Sequence, residues 1–298
     1  MLIRYRRTLF PLLALMALGL LATGVFYQQN FDQGVEFPNL GNLDESLDCN
    51  TIDRDKLLVI LAVGQSNASN YGSVPFTPGK NVFSFYNGRC FPGHDPQPGA
   101  DGIGGSIWSR LADLMVHKGY ARNVMIVAVG AGGSSVSEWV PEAKYYPRLV
   151  DAAHSLKEAN LTPGMIIWLQ GSRDAGMAPE VYRNHLRDVI FAFPILGFRL
   201  GPAARLFVAT HTRCSSAAAP GIQAAQQSMV DHANYIFAGP NMDTLEDDVK
   251  HFGCHYNELG LNLAAKMWLG AIERAEAESA WLPRETSNDR QKPLPGTP

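Results

Sequence analysis

The chain has 298 residues, 46% of them hydrophobic and 18% charged, with a formal net charge of −3. That is enough for one sizeable α/β domain with a buried core and too little for two full domains plus connections. No basic excess and no Lys/Arg stripe interleaved with aromatics gives nucleic acid an electrostatic footprint, so a nucleic-acid partner is not expected.

Residues 1–8 form a basic end carrying Arg4, Arg6 and Arg7, followed by an uncharged stretch over 9–26 that is just long enough to span a membrane. Basic residues ahead of an apolar segment predict an N-terminus left in the cytoplasm and an exported bulk. The stretch has no small-x-small cleavage site near its end and no cysteine for a lipid anchor, so it reads as an uncleaved anchor rather than a removed signal. The expected location is therefore periplasmic or otherwise extracytoplasmic, tethered to the inner membrane. Residues 27–54 are polar, contain Gly, Pro and Asn, lack sustained periodicity, and read as a spacer.

From residue 55 to about 275 apolar runs alternate with helical patterns. Leu57–Val63 is a continuous apolar run with Val59, Ile60 and Val63 β-branched, the pattern of a strand buried on both faces of a parallel sheet. Further buried strands are expected at 125–129, 165–169 and 205–210, with a short fifth at 235–238. Helical spacing recurs in Ile107, Leu111, Leu114 and Met115, then in Leu149, Ala152, Ala153 and Leu156. It returns over roughly 179–193, 221–233 and 258–275. The alternation predicts a doubly wound, mainly parallel five-stranded sheet covered on both faces, a flavodoxin-like three-layer α/β sandwich. Residues 276–298, ending in a four-proline stretch poor in apolar residues, read as a disordered tail.

Some chemistries are missing from this pattern. No GxGxxG or GxxxxGK loop follows a strand, so no nucleotide cofactor is expected. His94, His117, His154, His185, His211 and His232 show no HxH or HExxH grouping, and no CxxC pair exists, so no metal is expected. In an exported protein Cys49, Cys90, Cys214 and Cys254 allow up to two disulfides in three pairings. Cys214 lies just past a strand end and is the preferred partner for Cys254.

Five segments fall where strands end or helices begin. They are Gly64-Gln65-Ser66-Asn67, Gly102-Ile103-Gly104-Gly105-Ser106, Gly130 to Trp139, Trp168-Leu169-Gln170-Gly171-Ser172-Arg173-Asp174, and Gly253-Cys254-His255-Tyr256-Asn257-Glu258. A serine just past a strand's carboxyl end sits in the crevice where open α/β sheets bind ligands. Ester cleavage needs such a hydroxyl, a base for its proton and donors for the developing oxyanion. A near-neutral imidazole supplies the base.

In this order the segments resemble the carbohydrate esterase branch of the SGNH hydrolases, the sialate O-acetylesterase-like and acetylxylan-esterase-like enzymes, over about residues 56–273. Gly221-Ile222-Gln223-Ala224-Ala225-Gln226 and Asp243-Thr244-Leu245 resemble two later landmarks of that family, with Gln223 in place of the usual arginine. The resemblance implies Ser66 as nucleophile and His255 as base. It makes the Ser66 and Gly104 backbone N–H groups and the Gln170 amide the oxyanion donors. The implied substrate is an acetylated carbohydrate, sialic acid or another surface glycan. Glu138 and Trp139 are expected near the sugar, and His211 near the same sheet edge. An O-acetyltransferase on an exported polysaccharide, or an impaired carbohydrate-binding protein on the same fold, are the rival readings.

Two positions depart from the family pattern. Ser172 stands where a glutamate usually follows the QG of the third strand, which leaves Asp174 as the nearby carboxylate. The triad acid usually lies three residues before the histidine, where this chain has Phe252. Asp248 lies three before His251, so two registers compete. The Tyr-Asn-Glu-Leu-Gly run after His255 favours His255, with Asp247 or Asp248 reaching it through the loop, or with a Ser–His dyad sufficing.

Overall fold

The structure, a computed structural model, describes residues 39–55 and 57–279. The basic end, the 9–26 segment and the tail after 279 lie outside the described residues. Seven strands build the main sheet: β1 Leu57–Gly64, β2 Val82–Tyr86, β3 Arg89–Pro92, β4 Asn123–Ala128, β5 Met165–Leu169, β6 Arg205–Thr210 and β7 Ile236–Asn241. Their order is β3-β2-β4-β1-β5-β6-β7, all parallel except β3, which runs antiparallel to β2. The five expected strands are its β4-β1-β5-β6-β7 core, the 2-1-3-4-5 order of flavodoxin-like sheets. The β2–β3 hairpin adds an edge that the apolar runs did not announce. Val-Phe-Ser-Phe-Tyr is short and interrupted by a serine, and its pairing depends on a neighbour far along the chain.

Five helices among the described residues cover the sheet: α1 Ile107–His117, α2 Tyr146–Glu158, α3 Pro179–Ile195, α4 Pro220–Gln227 and α5 Glu258–Ser279. β1 shows why both faces are covered. Val59, Leu61 and Val63 point into a core with Leu149, Tyr182, Leu186 and Ile222 of α2, α3 and α4. Ile60 and Ala62 point into a second core with Trp108, Leu111, Ala264 and Trp268 of α1 and α5. Alternation of side chains across a strand turns one uninterrupted apolar run into two cores.

Residues 39–54 lie along the domain. Asn39 N–H donates to Ala100 O, Leu47 bridges Cys90, and a disulfide joins Cys49 to Cys90. A second two-stranded ribbon, β8 Lys250–His251 with β9 His255–Tyr256, precedes α5. The second disulfide, Cys214–Cys254, ties it to the loop after β6, the pairing preferred from the strand ends.

Candidate active site

Gly64 ends β1 at φ +150°, where a Cβ would stand 2.0 Å from Leu169 O at the end of β5. Only glycine permits that approach, and it turns the chain out of the sheet into the 3-10 turn Ser66–Ala68. Gln65 then staples the two strand ends. Its Oε1 accepts from Gly171 N (2.9 Å) and its Nε2 donates to Ser172 Oγ (2.6 Å). The serine that replaces the family's usual glutamate is therefore a partner of Gln65. Ser66 is left at the head of the turn. Its side chain makes no hydrogen bond among the described residues, and its N–H has none either, as the first donors of a helical turn lack intrahelical partners.

Two of the residues expected beside it are engaged elsewhere. The Gly104 N–H donates to Asn70 O (2.8 Å), and a Cβ at Gly104 would meet Gly72 O at 2.2 Å. Gly104 thus lets the 102–106 loop lie against residues 70–72. Gln170 is fully buried, and both its amide protons are used, one on Ser134 O (3.0 Å) and one on Asp174 Oδ2 (2.7 Å). Its Oε1 accepts from Tyr182 Oη (3.0 Å). An amide has only two protons to give, so in this conformation Gln170 braces the 134–136 loop and has no donor to spare. Asp174 serves the same loop, accepting from Ser135 Oγ and Val136 N.

Trp139 also differs from expectation. Trp139 is fully buried in the core with its Nε1 on Ser134 Oγ, and Glu138 closes a capping box on Ser135 N. A side chain with no exposed surface cannot line a sugar site. Within the Gly130–Trp139 segment Trp139 is scaffold.

His255 reaches the crevice on β9, which packs against the Ser66 turn. Asn257 frees it from a capping duty, since Asn257 Oδ1 accepts from Gly260 N at the start of α5. The imidazole stacks on Tyr71 with centroids 5.0 Å apart and makes no hydrogen bond among the described residues. Burial, reinforced by the neighbouring His251 and His211, lowers its pKa to about 4. The ring is therefore neutral, the form that accepts a proton, throughout the ordinary pH range.

His251 faces His255 across the ribbon, with ring centroids 5.9 Å apart. Its Nε2 lies 2.9 Å from Tyr71 O, and because a carbonyl only accepts, that nitrogen carries the proton and is committed. Of the two registers, His255 has the unengaged ring. Tyr71, which caps one histidine with its ring and holds the other with its carbonyl, carries no signal in the sequence beyond its nearness to Ser66.

The carboxylates fall differently from both registers. Asp247 pairs with Arg213 Nη2 (3.0 Å) and Lys250 Nζ (3.5 Å), and no ion pair or side-chain hydrogen bond joins Asp247 or Asp248 to either histidine among the described residues. Phe252 sits in the ribbon's turn at φ +51°, 71% exposed. The carboxylate nearest an imidazole at this sheet edge is Asp243, whose Oδ1 lies 3.7 Å from His211 Nδ1. Burial alone raises a carboxyl pKa, but His211, the Thr212 hydroxyl and N–H, and Gln223 outweigh it and hold Asp243 well below the usual range. The contact of Gln223 Nε2 with Asp243 Oδ2 (2.7 Å) joins the two late landmarks of the sequence. Beside them a polar hollow of about 520 Å³ opens between Arg213, Ser215, Asn241 and Asp247.

A flavodoxin-like sheet with its GQSN turn off the first strand, and a late histidine ribbon leading into the last helix, places the molecule among the SGNH hydrolases. Within that class, the chain belongs to the SASA family of carbohydrate esterases: residues 56–269 match the family described as "carbohydrate esterase, sialic acid-specific acetylesterase". No curated protein matches it. Among solved structures, an Arabidopsis thaliana protein is similar at 16% identity and TM-score 0.57, over 72% of this chain and 99% of that one. The acetylxylan esterase Axe2 from Geobacillus stearothermophilus is similar at 12% and 0.46, over 72% and 94%. A carbohydrate acetylesterase from Xanthomonas citri is similar at 16% and 0.42, over 72% of this chain and 56% of its own. The first of these supports the fold. The family match makes the chain a carbohydrate esterase, and acetyl esters are the substrates its description names.

Proposed function

We propose that the enzyme removes O-acetyl groups from sialic acid or another surface glycan through an acyl-enzyme on Ser66, with His255 as the base. Ser66 Oγ attacks the ester carbonyl as His255 takes its proton. The tetrahedral intermediate expels the sugar hydroxylate, to which His255 returns the proton. Water, deprotonated by the same imidazole, then releases acetate. The Ser66 N–H is the first oxyanion donor; removing one such donor costs about 3 kcal/mol. Gly104 and Gln170 contribute by holding the loops around the crevice.

The observation that carries this reading is the pairing of an unengaged Ser66 with an unengaged, neutral His255 on elements packed against one another. The enzyme is proposed to work outside the cytoplasm, tethered by residues 9–26. The two disulfides support an oxidising location. The test is acetate release from p-nitrophenyl acetate and from acetylated glycans by the full chain and by Ser66→Ala and His255→Ala. Loss of release in both supports the hydrolase. Acetyl-enzyme that turns over only with a glycan acceptor makes it a transferase. Absence of acetylation in the unaltered chain leaves a carbohydrate binder, the reading that Phe252 favours.

A further inference from the structure

We propose that His211 and Asp243 are positioning residues that act through Asn67 to dock the Ser66 turn against the His255 ribbon. The inference rests on the reading of Ser66 and His255 given above, and it supplies what Phe252 cannot.

Asn67 follows Ser66 and is buried, as is His211, which is 1% exposed. Asn67 Nδ2 lies 3.2 Å from Cys254 O and 3.3 Å from His211 Nε2. A carbonyl oxygen only accepts, so the amide atom facing it is the NH2 group, and that group's second proton is available to His211. His211 Nε2 must then present its lone pair, which puts the ring proton on Nδ1. That nitrogen is buried with no hydrogen-bond partner among the described residues, and it faces Asp243 Oδ1. The tautomer follows from the geometry alone.

Asp243 has no freedom to retreat. Thr212 N (2.7 Å), Arg213 N (2.8 Å), the Thr212 hydroxyl and Gln223 Nε2 all donate to it. A fixed carboxylate thus fixes an imidazole, which fixes an amide. That amide spans the residue after the nucleophile and the residue before the base. The Cys214–Cys254 disulfide joins the same two loops covalently, close to the amide link.

Nothing in this chain of contacts touches Ser66 Oγ, so its effect is on how often the serine and imidazole meet in reactive geometry. A misplacement of about 1 Å at such a site can cost about 100-fold in rate. The orienting carboxylate that the usual triad places behind the base is absent at Phe252. Here the orientation enters through the loop after β6.

The test uses the full chain acting on p-nitrophenyl acetate. His211→Leu removes the acceptor for Asn67, while His211→Gln keeps an oxygen in reach. We expect His211→Leu and Asn67→Ala each to lower kcat by about 10- to 100-fold with KM within about twofold. The double variant should be no worse than the poorer single one, and His211→Gln should recover at least about tenfold of the loss. Losses that multiply, or a His211→Leu enzyme with the original kcat, overturn the proposal. A 15N NMR spectrum of the unaltered protein gives a readout that survives folding failure of any variant. A protonated Nδ1 and bare Nε2 at His211 are expected, and a protonated Nε2 overturns the proposal. Ser66→Ala and His255→Ala are assayed in the same series. If either keeps full turnover, the catalytic reading itself fails. If both are inactive while His211→Leu is unaffected, only this inference does.

Discussion

The polar cluster around Asp95 and the crevice around Ser66 are made from the same kinds of groups, and they differ in how many are already engaged. Asp95 accepts from Phe76 N, Ser106 N and Oγ, Ser109 Oγ, Gln97 Nε2 and Arg110 Nη1, and it lies out of solvent. Burial pushes its pKa up against the pull of those bonds. Ser66 and the His255 imidazole have no side-chain hydrogen-bond partner among the described residues, although His255 stacks on Tyr71 and Ser66 is buried. Unmet hydrogen-bonding capacity costs stability, so a saturated cluster is how a fold supports itself and an unsaturated one marks where a substrate is to be met.

Substitutions should separate the two regions. The largest effect is expected from Ser66→Ala, which should lower turnover by about 1,000-fold or more while leaving the melting temperature nearly unchanged. A comparable loss of stability would place Ser66 with Asp95 as a structural group. Asp95→Ala should do the reverse. Removing one partner of a buried pair leaves Arg110 uncompensated, at a cost of about 3–5 kcal/mol in denaturant unfolding. The activity of the molecules still folded should stay the same, and an equal fall in both would merge the two regions.

The pH profile sharpens the comparison further. His255 must be neutral to accept the serine proton, and its folded pKa is about 4 rather than the ordinary 6.5. Activity is therefore expected to hold as pH falls through 6.5 and to be lost only as it passes through about 4. The same sign governs stability: the unfolded chain takes up the proton first, so His255's contribution declines between those values as pH falls. An acid limb of kcat/KM centred near 6.5 would show a solvated ring. The smallest effect concerns Phe252. Phe252→Asp restores a carboxylate at the usual triad position and should move the acid limb upward by about one pH unit or more. An unmoved limb would show that position 252 does not face His255.

The Cys214–Cys254 pairing and the capping of α5 by Asn257 were legible because each depends on a residue's place at an element end. Gly104 and Gln170 were expected as oxyanion donors from the family resemblance. Their donors, however, are bound to Asn70 and to Ser134 with Asp174, choices made by loops that meet only in the folded state. Trp139 shows the same limit: the family resemblance suggested the sugar site, and tertiary packing put it in the core.

By itself the sequence determined the sheet's five-strand core and the two apolar faces of β1. Periodicity and strand-end turns act over a few residues, so they are visible in one dimension. The tertiary structure alone decided the β2–β3 edge, the saturation of Gln170, and the placement of His211 against Asn67, 144 positions apart. Which donor meets which acceptor depends on the relative positions of loops that no local pattern encodes, because hydrogen bonds are short and directional.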